Sequence, residues 1–315
     1  MRILHLSTTD IKGGAALGAY WLHEGLLQAG CDSTMLVQEK YSDDPFVLQS
    51  KTVFKINSKY INARIIAERL IQKILRMKQN ENAELVSPQI FLPSGLAKEI
   101  NALNPDIVHV HWTQGGYLMP EDIPKIKVPI IYTARDMWLL GNGRHYFDES
   151  EQFEGSLHQR NARAFSKKRN IIFVGISHWL GDLMRKNTAL ENHTVEVIQN
   201  GVPVQYFNPI SPDRIKQQRQ ILGLNPDSYY ILYGAQNATT DTRKGYEYIQ
   251  SAQNSYKDNP QVRFLVFGNG AAEKGENIEY LGNLSRETLA QYYQIADVTL
   301  VPSKQDGQCG NPRGW

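Results

Sequence analysis

Several short segments of the sequence combine residue types that bind phosphates or sugar hydroxyls. In the first, Gly13 and Gly14 directly precede a helical pattern. Glycines let the backbone approach a ligand closely, and a helix N terminus offers unpaired N–H groups to an anion. The turn therefore predicts a site for a phosphate or a sugar hydroxyl. The alternative is a tight strand-to-helix turn that needs glycine only for packing.

A second segment places His109 and His111, followed by Trp112, at the end of a predicted strand. Side chains two residues apart lie on one face of a strand, and ligands of open α/β sheets bind outside the carboxyl ends of the strands. The histidines are therefore candidates for contacting an acceptor hydroxyl. The alternative is a pair of hydrogen-bonded core histidines. A zinc site is not expected, because no further ligand stands at a suitable spacing.

The third segment also follows a predicted strand and contains Arg135, Asp136 and Trp138, with His145 and several glycines just after them. Polar and aromatic side chains packed this densely after a strand indicate a substrate loop. A salt bridge between Arg135 and Asp136 would explain two of these residues without any function.

The fourth segment carries two adjacent cations, Arg243 and Lys244, before a predicted helix. Cations are poorly placed there, because the helix dipole favours anions at its N terminus. A bound diphosphate would resolve this conflict, since both side chains pair with phosphate oxygens. An exposed basic turn is the alternative.

Alternating strands and helices must position these segments. Short apolar runs alternate with helical patterns, which is typical of β-α-β units on a parallel sheet. The proline-rich stretch 202–213 separates two such rounds, so we predict α/β domains over 1–203 and 204–315, the second incomplete. The predicted strands are 2–7, 33–38, 106–111, 129–133, 171–176, 195–198, 229–234, 262–268, 278–281 and 297–301. The predicted helices are 14–29, 59–78, 94–103, 244–256 and 285–295.

Composition and charge limit the class of protein. The 315 residues carry 34 basic and 32 acidic side chains, a net charge of +2 that gives no indication of nucleic-acid binding. Cys31 and Cys309 lie far apart and are expected to be free thiols, which favours the cytoplasm. No stretch reaches the roughly 18 apolar residues of a membrane span. The basic helix 59–78 is predicted to cover a sheet; peripheral contact with the inner face of the plasma membrane is the alternative.

Together the segments resemble glycosyltransferase family 4, retaining enzymes of the GT-B fold with two Rossmann-like domains that build bacterial polysaccharides and lipopolysaccharides. The resemblance covers nearly the whole sequence and rests on the order and spacing of seven blocks. These blocks are KGGAALGAYWLHEGL (12–26), DIVHVHWTQGGYL (106–118), YTARDMW with GNGRHY (132–146), VGISHWLGDLM (174–184), VIQNGV (197–202), DTRKGYEYI (241–249) and LGNLSRETLAQYYQIADVTLVPS (281–303).

The resemblance implies transfer of a sugar, with retention, from a nucleotide-sugar donor to a hydroxyl of a glycan or lipid-linked acceptor in cell-surface polysaccharide biosynthesis. No metal or other cofactor is implied, because side-chain cations and helix dipoles stabilise the departing diphosphate. The residues that match the family's motifs divide by implied role. Donor binding is implied for Gly13, Gly14, Arg243 and Lys244, acceptor binding for His109, Trp112, Arg135 and Trp138, and catalysis for Asp306, His111 and Asp136.

Two departures from the family pattern bear on activity. Arg135 stands where the family has a histidine, and a guanidinium cannot accept a proton as an imidazole does. Asp306 matches the first of two family acids, but Gly314 stands at the position of the second, which binds the nucleotide ribose. We therefore expect weak activity, with a non-catalytic glycan- or nucleotide-binding protein as the alternative. An NAD-dependent oxidoreductase is disfavoured, because the G-x-G-x-x-G turn is missing.

Overall fold

The computed structural model describes residues 1–51, 70, 95–114, 116–141, 143–148, 155–270 and 275–307. The chain divides into two compact units, Met1–Gly201 and Val202–Trp315. This division lies two residues before the boundary expected between 203 and 204. The predicted basic helix over 59–78 falls, apart from residue 70, outside the described residues, as does Cys309. None of the described helices has the length and apolar character needed to cross a bilayer.

The N-terminal unit is built on a parallel sheet with the order β3-β2-β1-β4-β5-β6-β7. Strands follow outward from β1 in both directions, which is the doubly wound arrangement. Its strands are β1 Arg2–Thr9, β2 Asp32–Glu39, β3 Val47–Gln49, β4 Ile107–Val110, β5 Ile130–Ala134, β6 Ile171–Gly175 and β7 Thr194–Val197. Its described α-helices are α1 Gly14–Gln28, α2 Leu96–Ala102, α3 Ser156–Ser166 and α4 His178–Arg185.

The two faces of this sheet differ in chemistry. Residues alternate between faces along each strand, and one face carries the apolar set that includes Leu6, Val108 and Phe173, all 0% exposed. The opposite face, under α1, carries His5 and His109, which are register partners on β1 and β4. One side of the sheet therefore carries an apolar core, and the other carries buried histidines beside a smaller apolar cluster that includes Met35 and Val37.

The C-terminal unit has a smaller parallel sheet among its described residues, with the order β10-β9-β8-β11. Apolar residues cover both faces of this sheet. The strands are β8 Tyr229–Gly234, β9 Val262–Phe267, β10 Ile278–Gly282 and β11 Val298–Thr299, and the helices are α5 Pro212–Ile221, α6 Tyr246–Ser255 and α7 Arg286–Ile295.

Most predicted elements are present within a few residues, and several were not predicted. The helix α5 begins at Pro212, inside the stretch expected to be a linker to residue 213, because proline suits the first turn of a helix. The short strand β3 and the helices α3 and α4 were also missed. β3 and α4 span three and eight residues, and polar residues dominate α3, so none of them forms a long apolar pattern in the sequence. Ser285 caps α7 by accepting a hydrogen bond from the Thr288 amide at 3.2 Å.

Candidate functional site

The glycine turn after β1 leads directly into α1. Gly13 has φ 95° and ψ 159°, a conformation that side chains with a Cβ rarely adopt, and nothing lies within 4 Å of a Cβ built on Gly14. Among the described residues, no side chain caps the first N–H groups of α1. The Asp10 carboxylate stabilises the turn by accepting hydrogen bonds from the backbone amides of Tyr41 and Ser42. The turn thus has the shape and the donors that an anion or a hydroxyl requires.

His109 lies on β4 and His111 directly follows its last residue; the two side chains lie on the same side, as predicted, with ring centroids 4.1 Å apart. Both are nearly fully buried. His109 Nε2 lies 2.8 Å from Thr133 Oγ1, and His111 Nε2 lies 2.9 Å from Nδ1 of His5. The histidines are therefore hydrogen-bonded within the unit, which matches the alternative of a core pair.

The hydrogen bonds fix which ring nitrogens carry protons. The guanidinium of Arg135 can only donate, and its NH2 group lies 3.1 Å from His111 Nδ1, so that nitrogen accepts. A neutral His111 then donates from Nε2 to His5 Nδ1, which leaves a buried N–H at His5 Nε2 without a partner among the described residues. Burial lowers the pKa of His5 and His111 well below the ordinary value and that of His109 to about 3. All three imidazoles are neutral at pH 7.

A third histidine near the pair corrects the sequence analysis, which expected no further ligand. Ring nitrogens of His5, His109 and His111 all lie within 4.8 Å of one another, close enough to share a metal ion. However, His111 uses both ring nitrogens in hydrogen bonds, one of them from the cationic Arg135. A guanidinium on a ligand nitrogen opposes a second positive charge, so these residues fit a metal ion poorly.

Arg135 does not form the predicted salt bridge with Asp136. Its NH1 group donates to Asn200 Oδ1 at 2.5 Å and its NH2 group to His111, while its Nε has no partner among the described residues. The side chain extends across Gly18 of α1, where any Cβ would collide with the guanidinium. Alternation along β5 sends Arg135 towards the α1 face, away from the neighbouring carboxylate.

Asp136 forms a different pair in the loop after β5. Its carboxylate accepts a hydrogen bond from the Trp138 backbone amide at 3.0 Å and lies 2.6 Å from His145 Nδ1. The ring of Trp112 stacks on His145 with centroids 6.0 Å apart. The structure therefore brings together two predicted residues and His145, which the sequence placed in the substrate loop without a role. Trp138, predicted to bind an acceptor, is 2% exposed and offers almost no surface to one.

A cavity of about 280 Å³ lies between α1 and the histidine-bearing face of the sheet. Its walls are mostly aliphatic side chains from β1, α1, β4, β5 and β6, including Ile3, Leu22 and Ile131. Its polar lining residues are His109, Thr133, Arg135, Gln199 and Asn200. Apolar walls with a few converging polar groups are typical of small-molecule sites.

In the C-terminal unit, Arg243 and Lys244 lie in a 3₁₀ turn, residues Thr242–Lys244, that precedes α6. Asp241 pairs with Arg243 at 2.6 Å, and Asp306 pairs with Lys244 at 2.5 Å. These side chains are about three-quarters buried, so the alternative of a freely exposed basic turn is wrong. Gly245 has φ 70° and packs against the Pro302 carbonyl oxygen, which brings Asp306 beside a turn 62 residues earlier in the chain.

Comparison with known proteins identifies the family. The family model described as Glycosyltransferase Family 4 matches residues 12–206. A GDP-mannose-dependent monoacylated alpha-(1-6)-phosphatidylinositol monomannoside mannosyltransferase from Corynebacterium glutamicum is 26% identical over a stretch that covers 40% of this chain and 35% of that protein. The chain therefore aligns with about a third of the length of this curated relative.

Solved structures share the architecture at low sequence identity. Sucrose-phosphate synthase from Thermosynechococcus elongatus superimposes with a TM-score of 0.58 at 14% identity, over 98% of this chain and 77% of that one. WaaG, a glycosyltransferase of lipopolysaccharide biosynthesis, gives 0.56 at 13% identity, over 97% and 76%. Anabaena Alr3699/HepE in complex with UDP and glucose gives 0.55 at 15% identity, over 96% and 74%. These likenesses concern the fold, and they agree with the two parallel α/β sheets.

The family match covers more than half of the chain and includes the glycine turn, His109, His111 and the Asp136 loop. The predicted GT-B fold is confirmed by the sheet topology and by the structural neighbours. On this evidence the chain belongs to glycosyltransferase family 4.

Proposed function

We propose that this protein transfers a sugar from a nucleotide-sugar donor to a hydroxyl of a glycan or lipid-linked acceptor, with retention at the anomeric carbon. The observation that carries the proposal is the cluster of Arg243 and Lys244 with Asp241 and Asp306, two cations each paired with an acid. Two similar proteins support the donor class: the Corynebacterium mannosyltransferase is GDP-mannose-dependent, and the structural neighbour Anabaena Alr3699/HepE was solved in complex with UDP and glucose.

The proposed donor site uses the two cations for the diphosphate. Arg243 and Lys244 each have a carboxylate partner that holds the side chain in place. An incoming diphosphate carries more negative charge than either carboxylate and offers several acceptor oxygens, so it competes for the same donors. Asp306, released from Lys244, is then able to contact the sugar. We propose that these cations make a divalent metal ion unnecessary for stabilising the leaving diphosphate.

On the N-terminal unit, we propose that the Gly13–Gly14 turn contacts donor oxygens through its backbone N–H groups. Asp136 with His145 is the pair best placed for proton transfer, because its carboxylate and imidazole are 2.6 Å apart and Trp112 stacks on the ring. His111 has both ring nitrogens engaged, so we assign it to positioning Arg135. Acceptor contacts are proposed for His109, Trp112 and Arg135, with Trp138 shaping the loop from inside.

The biological setting is also part of the proposal. We propose a cytoplasmic enzyme of cell-surface polysaccharide biosynthesis, with peripheral contact to the membrane through the basic segment 59–78. Because Gly314 stands at the position of the family's second acid, we expect the 315-residue polypeptide to transfer sugar weakly by itself. A non-catalytic glycan- or nucleotide-binding protein is the second candidate, favoured by the same residue.

The proposal is tested by titrating UDP and GDP into the protein in a calorimeter. We expect one of them to bind, and we expect Arg243→Gln and Lys244→Gln each to weaken binding about 10- to 100-fold, because each removes a charge-assisted hydrogen bond. Lys216→Gln is the matched control, because Lys216 pairs with Asp227 in the same unit, at 3.0 Å, on an exposed surface.

Binding and turnover separate the candidate functions. Transfer of sugar to an acceptor, with the anomeric configuration of the product determined by NMR, supports the retaining enzyme. If nucleotide binds but no sugar is transferred, even in a variant that has an acid at position 314, the non-catalytic binding protein is supported instead. If neither nucleotide binds, or if the variants bind as tightly as the control, the proposed donor site is wrong.

A further inference from the structure

Arg135 is a buried cation with neutral partners. Its side chain is 8% exposed, and its described hydrogen bonds go to the Asn200 amide oxygen and to His111. Neither group carries a negative charge, and no described carboxylate lies within ion-pair distance of the guanidinium. Burial lowers the pKa of Arg135 to about 10, which still leaves it charged at pH 7.

A buried charge of this kind is costly unless something compensates it. Removing an ion from water costs several kcal/mol, and proteins ordinarily repay that cost with a counter-charge and a full set of hydrogen bonds. At Arg135 the Nε–H lacks a partner among the described residues. The same side chain lines the cavity under α1, so the missing negative charge has room beside it.

The rest of the cavity has the opposite character. Aliphatic side chains of β1, β4, β5 and α1 form most of its surface, and the lining residues Met1, Leu22 and Ile198 remain 71%, 39% and 61% exposed. Water is poorly stabilised in a cavity with such walls, because each water molecule needs two to four polar partners. A ligand that suits both parts must therefore be apolar along most of its length and anionic at one end.

We propose that the cavity binds a small amphiphile whose anionic head, a carboxylate or a phosphate, pairs with Arg135 while its apolar chain lies along the aliphatic wall. A volume of about 280 Å³ accommodates about nine groups of the size of a water molecule, so the enclosed part of the chain is about eight carbons. The inference rests on the proposed acceptor role of His109 and Arg135, which it makes specific: the acceptor, or a ligand beside it, carries an acidic group on an apolar chain.

Titration of octanoate and of octyl phosphate into the protein in a calorimeter, with no nucleotide sugar present, tests the inference. Octanol lacks the charge, and inorganic phosphate lacks the chain, so both are expected to bind at least tenfold more weakly than octyl phosphate. Hexanoate, shorter by two methylenes, is expected to bind about tenfold more weakly than octanoate. The preference between the two octyl ligands identifies the head group.

Two variants locate the site. Arg135→Gln is expected to weaken octanoate binding about 10- to 100-fold and to leave octanol binding nearly unchanged. Because Arg135 is buried, the exposed Leu22→Gln, which alters the apolar wall from the surface, is the second variant and should weaken both ligands severalfold. Arg185→Gln and Leu103→Gln are the matched controls, with exposed side chains that do not line the cavity.

Several outcomes would overturn the inference. It fails if octanoate and octanol bind equally, if inorganic phosphate binds as tightly as octyl phosphate, or if Arg135→Gln folds and binds octanoate as the original does. It also fails if the cavity surface instead joins two copies of the chain. Sedimentation would then show dimers that the Leu22→Gln substitution dissociates and that octanoate does not. Sugar transfer without octanoate binding would remove only this inference, and octanoate binding without nucleotide binding would remove only the proposed function.

Discussion

The two units each bury an arginine, and the surroundings of these residues differ. Arg219 of α5 donates hydrogen bonds to three backbone carbonyl groups and pairs with the Asp297 carboxylate at 2.8 Å. Arg135 of the N-terminal unit is equally buried, yet it has neutral partners and lines a cavity. Arg219 therefore joins parts of its own unit, whereas Arg135 is placed to meet a charge that comes from outside the fold.

A structural charge and a functional charge differ in whether the fold itself compensates them. A buried ion whose protein partners supply the counter-charge and the hydrogen-bond acceptors needs no ligand to account for it. A buried ion beside a cavity that lacks such partners has an uncompensated desolvation cost, which indicates that the cavity binds a ligand of opposite charge. Arg243 and Lys244 are intermediate, because each has a carboxylate partner and still keeps about a quarter of its side chain exposed.

The largest expected effect is on stability. We expect Arg219→Met to lower the free energy of unfolding by about 3–5 kcal/mol, because it leaves Asp297 and several carbonyl groups without their partner. We expect Arg135→Met to change it by less than about 1 kcal/mol or to stabilise the protein, because it removes an uncompensated charge. Urea unfolding followed by circular dichroism measures both. Equal losses in the two variants would contradict the comparison.

The next effect is a dependence of stability on pH. Burial lowers the pKa of His109 to about 3 in the folded protein, against an ordinary value of 6.5, so below pH 6.5 the unfolded chain binds more protons. Stability is therefore complete above about pH 6.5 and falls as the pH decreases towards 3, with a limiting slope of about 1.4 kcal/mol per pH unit for this residue.

A histidine variant isolates this effect. Between pH 6.5 and pH 5, His109→Asn should lose about 1–2 kcal/mol less than the original protein, whereas the exposed His178→Asn should follow the original. Tryptophan fluorescence during urea unfolding is a suitable measurement, because four of the five tryptophans lie in the N-terminal unit. Parallel pH profiles for all three proteins would show that His109 is not the neutral, buried group described above.

The smallest effect concerns an exposed ion pair on the same helix as Arg219. Lys216 pairs with Asp227 at 3.0 Å, with side chains 63% and 75% exposed. We expect Lys216→Gln to change the free energy of unfolding by less than about 1 kcal/mol, because solvent screens the pair. Urea unfolding beside Arg219→Met checks this. A loss as large as that of Arg219→Met would mean that burial does not set the difference between the charged groups.

Strong local patterns made most of the fold predictable. The strands β8 and β9 consist mostly of apolar residues, β1 contains the apolar residues Ile3, Leu4 and Leu6, and the glycine turn before α1 is evident from adjacent glycines. The helices α3 and α5 were not predicted, because polar and charged residues dominate them and their contacts come from elsewhere in the chain. In the site, the sequence identified the Asp136 loop and the pair of cations, since these are local clusters.

The residue partners were less predictable. Arg135 and Asp136 are neighbours in sequence, which suggested a salt bridge. In the structure they directly follow β5, and Arg135 donates to His111 while Asp136 pairs with His145. His5 joins His109 and His111 through strand pairing across more than 100 residues. No local pattern contains that information, because register depends on the assembled sheet.

The sequence by itself determined the alternation of strands and helices, the family and the residue types available for chemistry, because periodicity and motif spacing are local properties of the chain. Tertiary structure alone decided which charges are compensated: Asp306 reaches Lys244, Asp297 reaches Arg219, and no described carboxylate reaches Arg135. The reason is that electrostatic cost depends on burial and on neighbours in space, and both exist only once distant segments have packed together.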